Sequence, residues 1–476
     1  MKKASFNTTQ WLLLVSMLMM AALVGMALPV VIGWIGDRYA RLAALPVLFV
    51  MALLFVFNRR LMFLLIIFLR ASGDIVLEST KGAGGPGLGG AINAFIILIA
   101  FLFFIEHPRR VPKEVMLPWI VLLGVYAIGV ALAPDKGAAV RAALGVCSYF
   151  AVFVCAFHVV RSPEDFRAMV RLVVLSSILP ALYGVLSFAL QARSMGISAV
   201  RLQSTFSHPN IFAFYITLVV SMGLYMLKSP HYQLSSFRRF ALTGYLLFML
   251  VLLLLTQTRS AWIACFFLFF LYGALFERRY LIYLAVLPFL ALLIPSVQDR
   301  ILQLDSGNGG YAYAKLNSFA WRVVLWKSSL NWMGMSRYLT GYGVESFPFY
   351  SQTFFSMAGN IKWDAHSVYV QTFFELGAMG IAAFLFLFYK VGRALYRLLP
   401  QDRLACLLLL CLLVEYLIVS ASDNLMFYLA FNWYFWLLAG MGCSLYFSSE
   451  AHQLSQARRQ PPRSAPANRK RTLRPV

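Results

Sequence analysis

Apolar runs of membrane length recur along this chain from Trp11 to Phe447, separated by short polar or basic punctuation. A run of about 20 apolar residues can span a bilayer as a helix, because a helix satisfies its backbone polar groups internally. Read this way, the pattern predicts fourteen spans, with twelve or thirteen as neighbouring counts: 11–34, 42–57, 61–77, 91–105, 116–133, 138–160, 168–190, 210–227, 239–256, 260–276, 280–296, 366–388, 404–421 and 427–447. The third carries Arg70 and Asp74, spaced for a local ion pair, and reads as a candidate re-entrant segment. The first shows no clear cleavage site and is followed at once by others, so it reads as a span and not as a signal peptide.

One polar stretch, residues 297–365, breaks the rhythm. Ser306-Gly-Asn-Gly-Gly310 marks a turn in it. Tyr311 to Met333 mixes aromatics and cations at helical spacing, which predicts an interfacial amphipathic helix. Gly341-Tyr-Gly-Val-Glu-Ser-Phe347 then turns the chain back toward His366 at the lip of the twelfth span. A glycine cluster, Gly82 to Gly90, lacks the Lys-Ser/Thr and the preceding strand of a phosphate-binding loop, and reads as a hinge. The expected fold is all-α: a polytopic inner-membrane protein of 12–14 transmembrane helices with one long periplasmic loop carrying an amphipathic helix. Its segments are 1–200 (amino-terminal helices), 201–296 (central helices with arginine motifs), 297–365 (the loop), 366–447 (carboxy-terminal helices) and 448–476 (a basic cytoplasmic tail).

Composition agrees. Of 476 residues 61% are hydrophobic and 12% charged, where a soluble protein carries about 25% charged residues. The net charge of +23 sits in short loops and in the tail Arg458 to Arg474, with no nucleic-acid motif beside it. Basic loops of this kind orient membrane proteins and attract anionic lipids, so membrane lipids are the expected partners and nucleic acid is not. With Lys2 and Lys3 in the cytoplasm, alternation brings Arg59-Arg60, Arg109-Arg110, Arg161, Lys228, Arg278-Arg279, Arg393 and the tail to the same side. Both termini are then cytoplasmic. All six cysteines lie in apolar runs without metal-ligand spacing, which predicts neither a disulfide framework nor a cysteine metal site.

On the other side this topology gathers four candidates from distant stretches: Arg201 in Arg201-Leu-Gln-Ser-Thr-Phe-Ser-His-Pro-Asn210, Arg259 in Gln257-Thr-Arg-Ser-Ala-Trp262, Arg322 in the loop helix, and His366. Guanidinium groups stay charged and bind phosphate oxygens bidentately, so the arginines suit a lipid diphosphate and the charge it develops as a leaving group. An imidazole can accept a proton from an incoming hydroxyl near neutral pH. Each residue also has a plainer reading. Arg259 could snorkel, Arg201 could meet a headgroup, Arg322 could be one more cation on an amphipathic face, and His366 could cap its span with Asp364. His208, before Pro209-Asn210, suits a helix start. Glu375 lies nine residues beyond His366, on the opposite helix face and about 13 Å deeper. Glu415 is an intramembrane acid in need of a partner. Asp299, Asp305, Glu345, Asp364 and Asp423 are scattered, with no paired acids for a metal, and no cofactor is expected.

At these motifs the chain resembles the bacterial O-antigen ligase and polysaccharide polymerase family. The resemblance rests on Arg201 through Phe214, Thr256-Gln-Thr-Arg-Ser-Ala-Trp-Ile263, Gly341-Tyr-Gly with Ser346-Phe347, and Asp364-Ala-His-Ser-Val-Tyr-Val-Gln371 with Glu375-Leu-Gly377. It covers roughly residues 200–380. It implies a metal-independent, inverting glycosyltransferase that moves a glycan from undecaprenyl diphosphate to an acceptor hydroxyl at the periplasmic face. His366 matches the family's essential histidine, Arg201 and Arg259 its diphosphate-contacting arginines, and Arg322 matches less closely. Ser367 stands where an asparagine is common, and fourteen spans exceed the ligases' usual twelve.

The acceptor could be lipid A-core sugar (ligase), a second lipid-linked glycan (polymerase) or a protein hydroxyl (O-oligosaccharyltransferase). A sugar is favoured, because no carboxy-terminal outer domain is present to receive a protein. A transporter of polysaccharide or lipid-linked sugar is the rival from another class, but no internal repeat supports it.

Overall fold

The structure, a computed structural model, describes residues 39–79, 88–196, 200–293, 298 and 318–459. The first expected span, the tail beyond 459, the 306–310 turn and most of the glycine cluster lie outside the described residues. The described residues are helical throughout, with no strand. The helices are α1 (Tyr39–Phe57), α2 (Arg59–Arg70), α3 (Asp74–Ser79), α4 (Leu88–Glu106), α5 (Lys113–Leu132), α6 (Lys136–Val159), α7 (Pro163–Leu175), α8 (Ile178–Met195), α9 (Pro209–Lys228), α10 (Ser236–Leu255), α11 (Arg259–Leu275), α12 (Arg279–Ala291), α13 (Ser318–Trp332), α14 (Ser346–Phe354), α15 (Val368–Tyr396), α16 (Arg403–Val419) and α17 (Leu429–Arg459). Seven described stretches are long and apolar enough to cross a membrane, with α7 and α8 counted as one. The molecule is a multi-pass helical membrane protein.

Helix α9 forms the centre. It is apolar all round, and Ile211 to Tyr225 are buried without a break, as a helix enclosed by other helices requires. Helix α17 lies along α6, where Trp119 of α5 meets Trp436 edge to face at 4.6 Å. Helices α4, α5, α8 and α10 instead expose large aliphatic and aromatic side chains, among them Phe101, Ile120, Leu182, Leu186 and Leu247. In a multi-pass protein such faces meet acyl chains.

Ion pairs tie the basic loops together at one end of the bundle. Arg59 meets Glu106 at 2.7 Å, Arg60 meets Asp165 at 3.3 Å, and Arg397 meets Glu114 at 2.9 Å. Lys228 meets Glu277 at 2.7 Å. The motifs that carry the candidate residues collect at the opposite end.

Several elements differ from the hydropathy reading. The third expected span breaks into a 12-residue helix and a 6-residue one. Arg70 and Asp74 do pair, at 2.8 Å and nearly fully buried, and the pair reaches further than its own helices. Asp74 Oδ2 accepts from both the amide and the hydroxyl of Ser207 at 3.1 Å, while Thr205 Oγ1 donates to Ala71 O at 2.7 Å. The backbone freed by the break is thus satisfied by the 201–208 loop, which is what a break at membrane depth demands. The seventh span begins earlier, at Pro163 behind its Ser162 cap.

The twelfth span starts at Val368, so His366 is not in it. Ser367 is the cap: its extended backbone (φ −157°) lets the hydroxyl accept from Val370 N at 3.4 Å. Neither His366 nor Asp364 caps the helix, and Ser367 thereby acquires a role. The span is also kinked, because Gly377 has φ +64° and ψ −161°. Helical periodicity counted from the start of the span therefore fails at that residue. Two glycine motifs meet at the kink. Tyr342 N donates to Phe374 O at 3.0 Å and Gly343 N to Glu375 O at 2.8 Å, while Ala378 N donates to Tyr338 O at 2.8 Å. The Gly341-Tyr-Gly turn supplies the partners that a broken membrane helix lacks.

The loop helix is described from Ser318. It packs into a small core shared by its loop and α15, with Leu325, Met333, Phe347, Phe355 and Ala365 buried together with Phe374 of α15.

Candidate active site

Four non-glycine residues among those described take left-handed φ angles: Ser204 (+54°), Gln257 (+54°), Glu345 (+62°) and His366 (+49°). One falls in each of the four motifs singled out from the sequence. Such conformations cost about 1–3 kcal/mol each and persist only where the surroundings fix them, typically at functional sites.

The first two motifs hold each other. Leu202 N donates to Leu255 O at 3.0 Å, Gln257 Nε2 to Val200 O at 3.2 Å, and Arg201 Nε to Thr256 O at 3.4 Å. Asn210, in the first turn of α9, joins them: its Oδ1 accepts from Arg201 Nη2 and from Thr258 Oγ1, both at 3.1 Å. His208 Nδ1 accepts from Asn210 N at 3.1 Å, so His208 caps α9 ahead of Pro209.

His366 is fixed through its neighbours. Ala365 O accepts from Trp326 Nε1 at 2.6 Å and Ala365 N donates to Gln371 Oε1 at 3.1 Å. On the other side Val368 N donates to Ser420 O at 2.9 Å, and Ser367 Oγ donates to the same carbonyl at 3.3 Å. The Trp321 ring lies edge-on to the imidazole at 6.0 Å. Clamped from α13, α15 and the end of α16, the half-buried imidazole is held in its strained backbone position.

The α16–α17 turn brings a carboxylate into this setting. Asp423 is 2% exposed. Its Oδ2 accepts from Asn210 Nδ2 at 2.6 Å, and its Oδ1 accepts from Tyr428 OH and from Asn424 N. Next to it, Ser422 O accepts from Arg322 Nη1 at 2.6 Å. Helix α13 is thereby pinned across the turn, and Arg322 is a buried-side anchor, not merely one more exposed cation. Burial pushes the His366 imidazole down to about 4; Arg322 adds to this, Asp423 opposes it and His208 lowers it further. Desolvation also lowers His208, with Asp423 pulling it up and Arg201 and Arg322 pushing it down. At neutral pH both rings are therefore neutral, beside fixed guanidinium groups.

The structure thus brings His366, Arg322 and Arg201 to one electrostatic centre. Arg259 stands one residue from the network at the start of α11, with its Nη2 donating to Ser318 Oγ of α13 at 3.4 Å. Sequence reasoning missed Asp423 and Asn210. Asp423 had been set among scattered acids. The available signal was its place in a polar break, Ser420-Ala-Ser-Asp-Asn424, between two apolar runs. Gln371 was missed as well. It accepts from Ala365 N and from Asn424 Nδ2 (2.6 Å) and donates to Glu375 Oε1 at 2.9 Å. Glu375 in turn accepts from Phe347 N at 3.4 Å, so it anchors the loop and makes no contact with the imidazole. Glu415 lies inside the bundle against Thr217 and Tyr416. Among the described residues no group of three His, Cys, Asp or Glu is placed to hold a metal ion.

These features define a polytopic helical membrane protein with a cationic, imidazole-bearing centre at one end of its bundle. Residues 244–385 match the model of the O-antigen ligase family, in line with the resemblance that the motifs carry. The match includes Arg259, Arg322 and His366, while Arg201 and Asp423 lie outside it. No curated protein matches the chain.

Proposed function

We propose that the protein transfers a glycan from undecaprenyl diphosphate to a sugar hydroxyl, with inversion and without a metal, at the periplasmic face of the inner membrane. The reading puts both termini in the cytoplasm. One observation carries it: Arg201 through Asn210, and Arg322 through the Ser422 carbonyl, are held to the Asp423 turn, whose charge also acts on the His366 imidazole. The lipid-linked diphosphate binds with its phosphates on Arg201 and Arg322 and with Arg259 at the rim. The acceptor hydroxyl gives its proton to the His366 imidazole as its oxygen attacks the anomeric carbon. The bond from that carbon to the diphosphate oxygen breaks, and the electron pair leaves on the diphosphate. The fixed guanidinium groups stabilise that charge most in the transition state, where it is forming. Asp423 holds Asn210 and Tyr428 and keeps the histidine from being driven still lower by the cations. The acceptor is lipid A-core sugar or a growing glycan.

Purified protein supplied with lipid-linked glycan and acceptor tests the reading. His366→Ala is expected to lower turnover by about 10²–10⁴-fold, the usual contribution of a general base. Chelators are expected to leave wild-type activity unchanged. Full turnover by His366→Ala would end the base assignment.

A further inference from the structure

Helix α9 has 20 residues and runs from the candidate site to Lys228, a length of about 30 Å. At its far end a cavity of about 500 Å³ opens between α7, α8, α10 and the α9–α10 connection. Arg167, Arg171 and Arg238 line it together with Val174, Ile178 and Leu242.

The two long walls share one pattern. On α7 and its continuation into α8 the lining runs Arg171, Val174, Leu175, Ile178; on α10 it runs Arg238, Ala241, Leu242, Tyr245. Both are i, i+3, i+4, i+7 faces, so each presents one continuous stripe. Both begin with an arginine at the end of the bundle and turn apolar toward its middle, about 10 Å deeper. At their deep end Ser177 Oγ and Tyr245 OH share a 2.6 Å hydrogen bond that closes the floor. The walls are thus charged at headgroup depth and apolar at acyl depth.

The charge is unbalanced. Arg167 pairs with Glu164 at 2.8 Å, and no Asp or Glu is among the residues lining the cavity. Arg171 and Arg238 form no salt bridge among the described residues. Just outside the mouth, Phe237 and Phe240 of α10 are each 79% exposed, as aromatics at an interface are. Guanidinium groups bind phosphate oxygens bidentately, and basic pockets between membrane helices collect anionic headgroups.

We propose that this cavity binds one anionic phospholipid of the leaflet opposite the candidate site, its phosphate between Arg171 and Arg238 and one acyl chain along Val174, Ile178 and Leu242. The bound lipid braces α7 and α8 against α10, whose other end carries Thr256 and Gln257.

Native mass spectrometry of the full chain, titrated with phosphatidylglycerol and with phosphatidylcholine, tests this. Wild type is expected to hold one phosphatidylglycerol at least tenfold more tightly than phosphatidylcholine. R171A/R238A is expected to weaken that binding by roughly 10- to 30-fold, and Arg393→Ala, at the same end but outside the cavity, to leave it unchanged. Ala241→Trp, which fills the apolar part and keeps both arginines, is expected to expel the lipid. Equal retention of the two lipids, or unchanged phosphatidylglycerol binding in R171A/R238A, would overturn the proposal. So would displacement by millimolar inorganic phosphate alone, which would make the ligand free phosphate. Tighter binding of undecaprenyl phosphate than of phosphatidylglycerol would likewise overturn the phospholipid assignment. None of these readouts depends on glycosyl transfer.

Discussion

Asn210 and Asp423 lie 213 residues apart in the chain and are joined by a 2.6 Å hydrogen bond from the amide Nδ2 to the carboxylate. Through that bond the amino end of α9 is locked to the α16–α17 turn, to which Arg201 is tied through Asn210 and Arg322 through the Ser422 carbonyl.

Asp423→Asn keeps the shape and removes the charge. The His366 imidazole then loses the one neighbour that raises its proton affinity, so turnover is expected to fall by tenfold or more. The new NH2 group meets a donor at one of the two oxygen positions, which lowers stability less than loss of the whole side chain does. Asp423→Ala also strands the Asn210 amide and the Tyr428 hydroxyl, at about 1–3 kcal/mol for each buried group. Steady-state kinetics beside thermal denaturation separate the two effects. A fully active Asp423→Asn protein would show that the charge is irrelevant.

The pH dependence has a definite sign. With the free-enzyme imidazole pushed down to about 4, kcat/KM is expected to stay level down to about pH 5 and fall only below it. Under the proposed mechanism a bound diphosphate would offset Arg322, so the acid limb of kcat is expected at higher pH than that of kcat/KM. Stability follows the same group. The folded imidazole titrates below its unfolded value of about 6.5, so between those values the unfolded state binds the proton first and stability falls as pH is lowered from about 6.5 toward 4. Glu345 acts with opposite sign. Burial, with the charge of Asp364, pushes it up to about 7, so the stability it adds is lost as pH rises from its unfolded value through 7. Replacing His366 with alanine should therefore reduce the acid-side loss in denaturation midpoints taken across pH to the part that His208 contributes; an unchanged acid-side loss would refute the assignment.

Gln371 joins the amide before His366 to the side chain after Asp423. Under the proposed mechanism Gln371→Leu is expected to lower kcat by tenfold or more while KM for the donor changes less than threefold, because the support of the His366 backbone is lost and the arginines are untouched. Gln371→Glu keeps the acceptor oxygen for Ala365 and Asn424 and should recover part of the rate. Equal loss in both variants would point to a packing defect.

Gly377→Ala is expected to destroy the fold locally. Its φ is +64°, and a Cβ there would lie 2.3 Å from the Leu339 backbone. Gly341 has the same problem against Glu375, also at 2.3 Å. Neither neighbour is a side chain that can swing away, so a loss beyond about 4 kcal/mol is expected. Purification yield and thermal midpoint measure it; wild-type behaviour of either variant would contradict the docked turn.

The chain's hydropathy was enough to specify a polytopic helical bundle, because crossing hydrocarbon leaves a helix few alternatives and its length is set by the bilayer. Residue chemistry and the sidedness of the loops made Arg201, Arg259, Arg322 and His366 the candidates. Asp423, Asn210 and Gln371 escaped, since each is an ordinary polar residue whose importance comes from a partner tens or hundreds of positions away. The break at Ala71, the start of α15 at Val368 and its kink at Gly377 also needed the tertiary structure. Each depends on which neighbouring backbone supplies the hydrogen bonds that a hydropathy profile cannot assign. Periodicity along one helix fixes which way a side chain faces. What it meets is decided by the packing of helices whose order in space the local sequence does not encode.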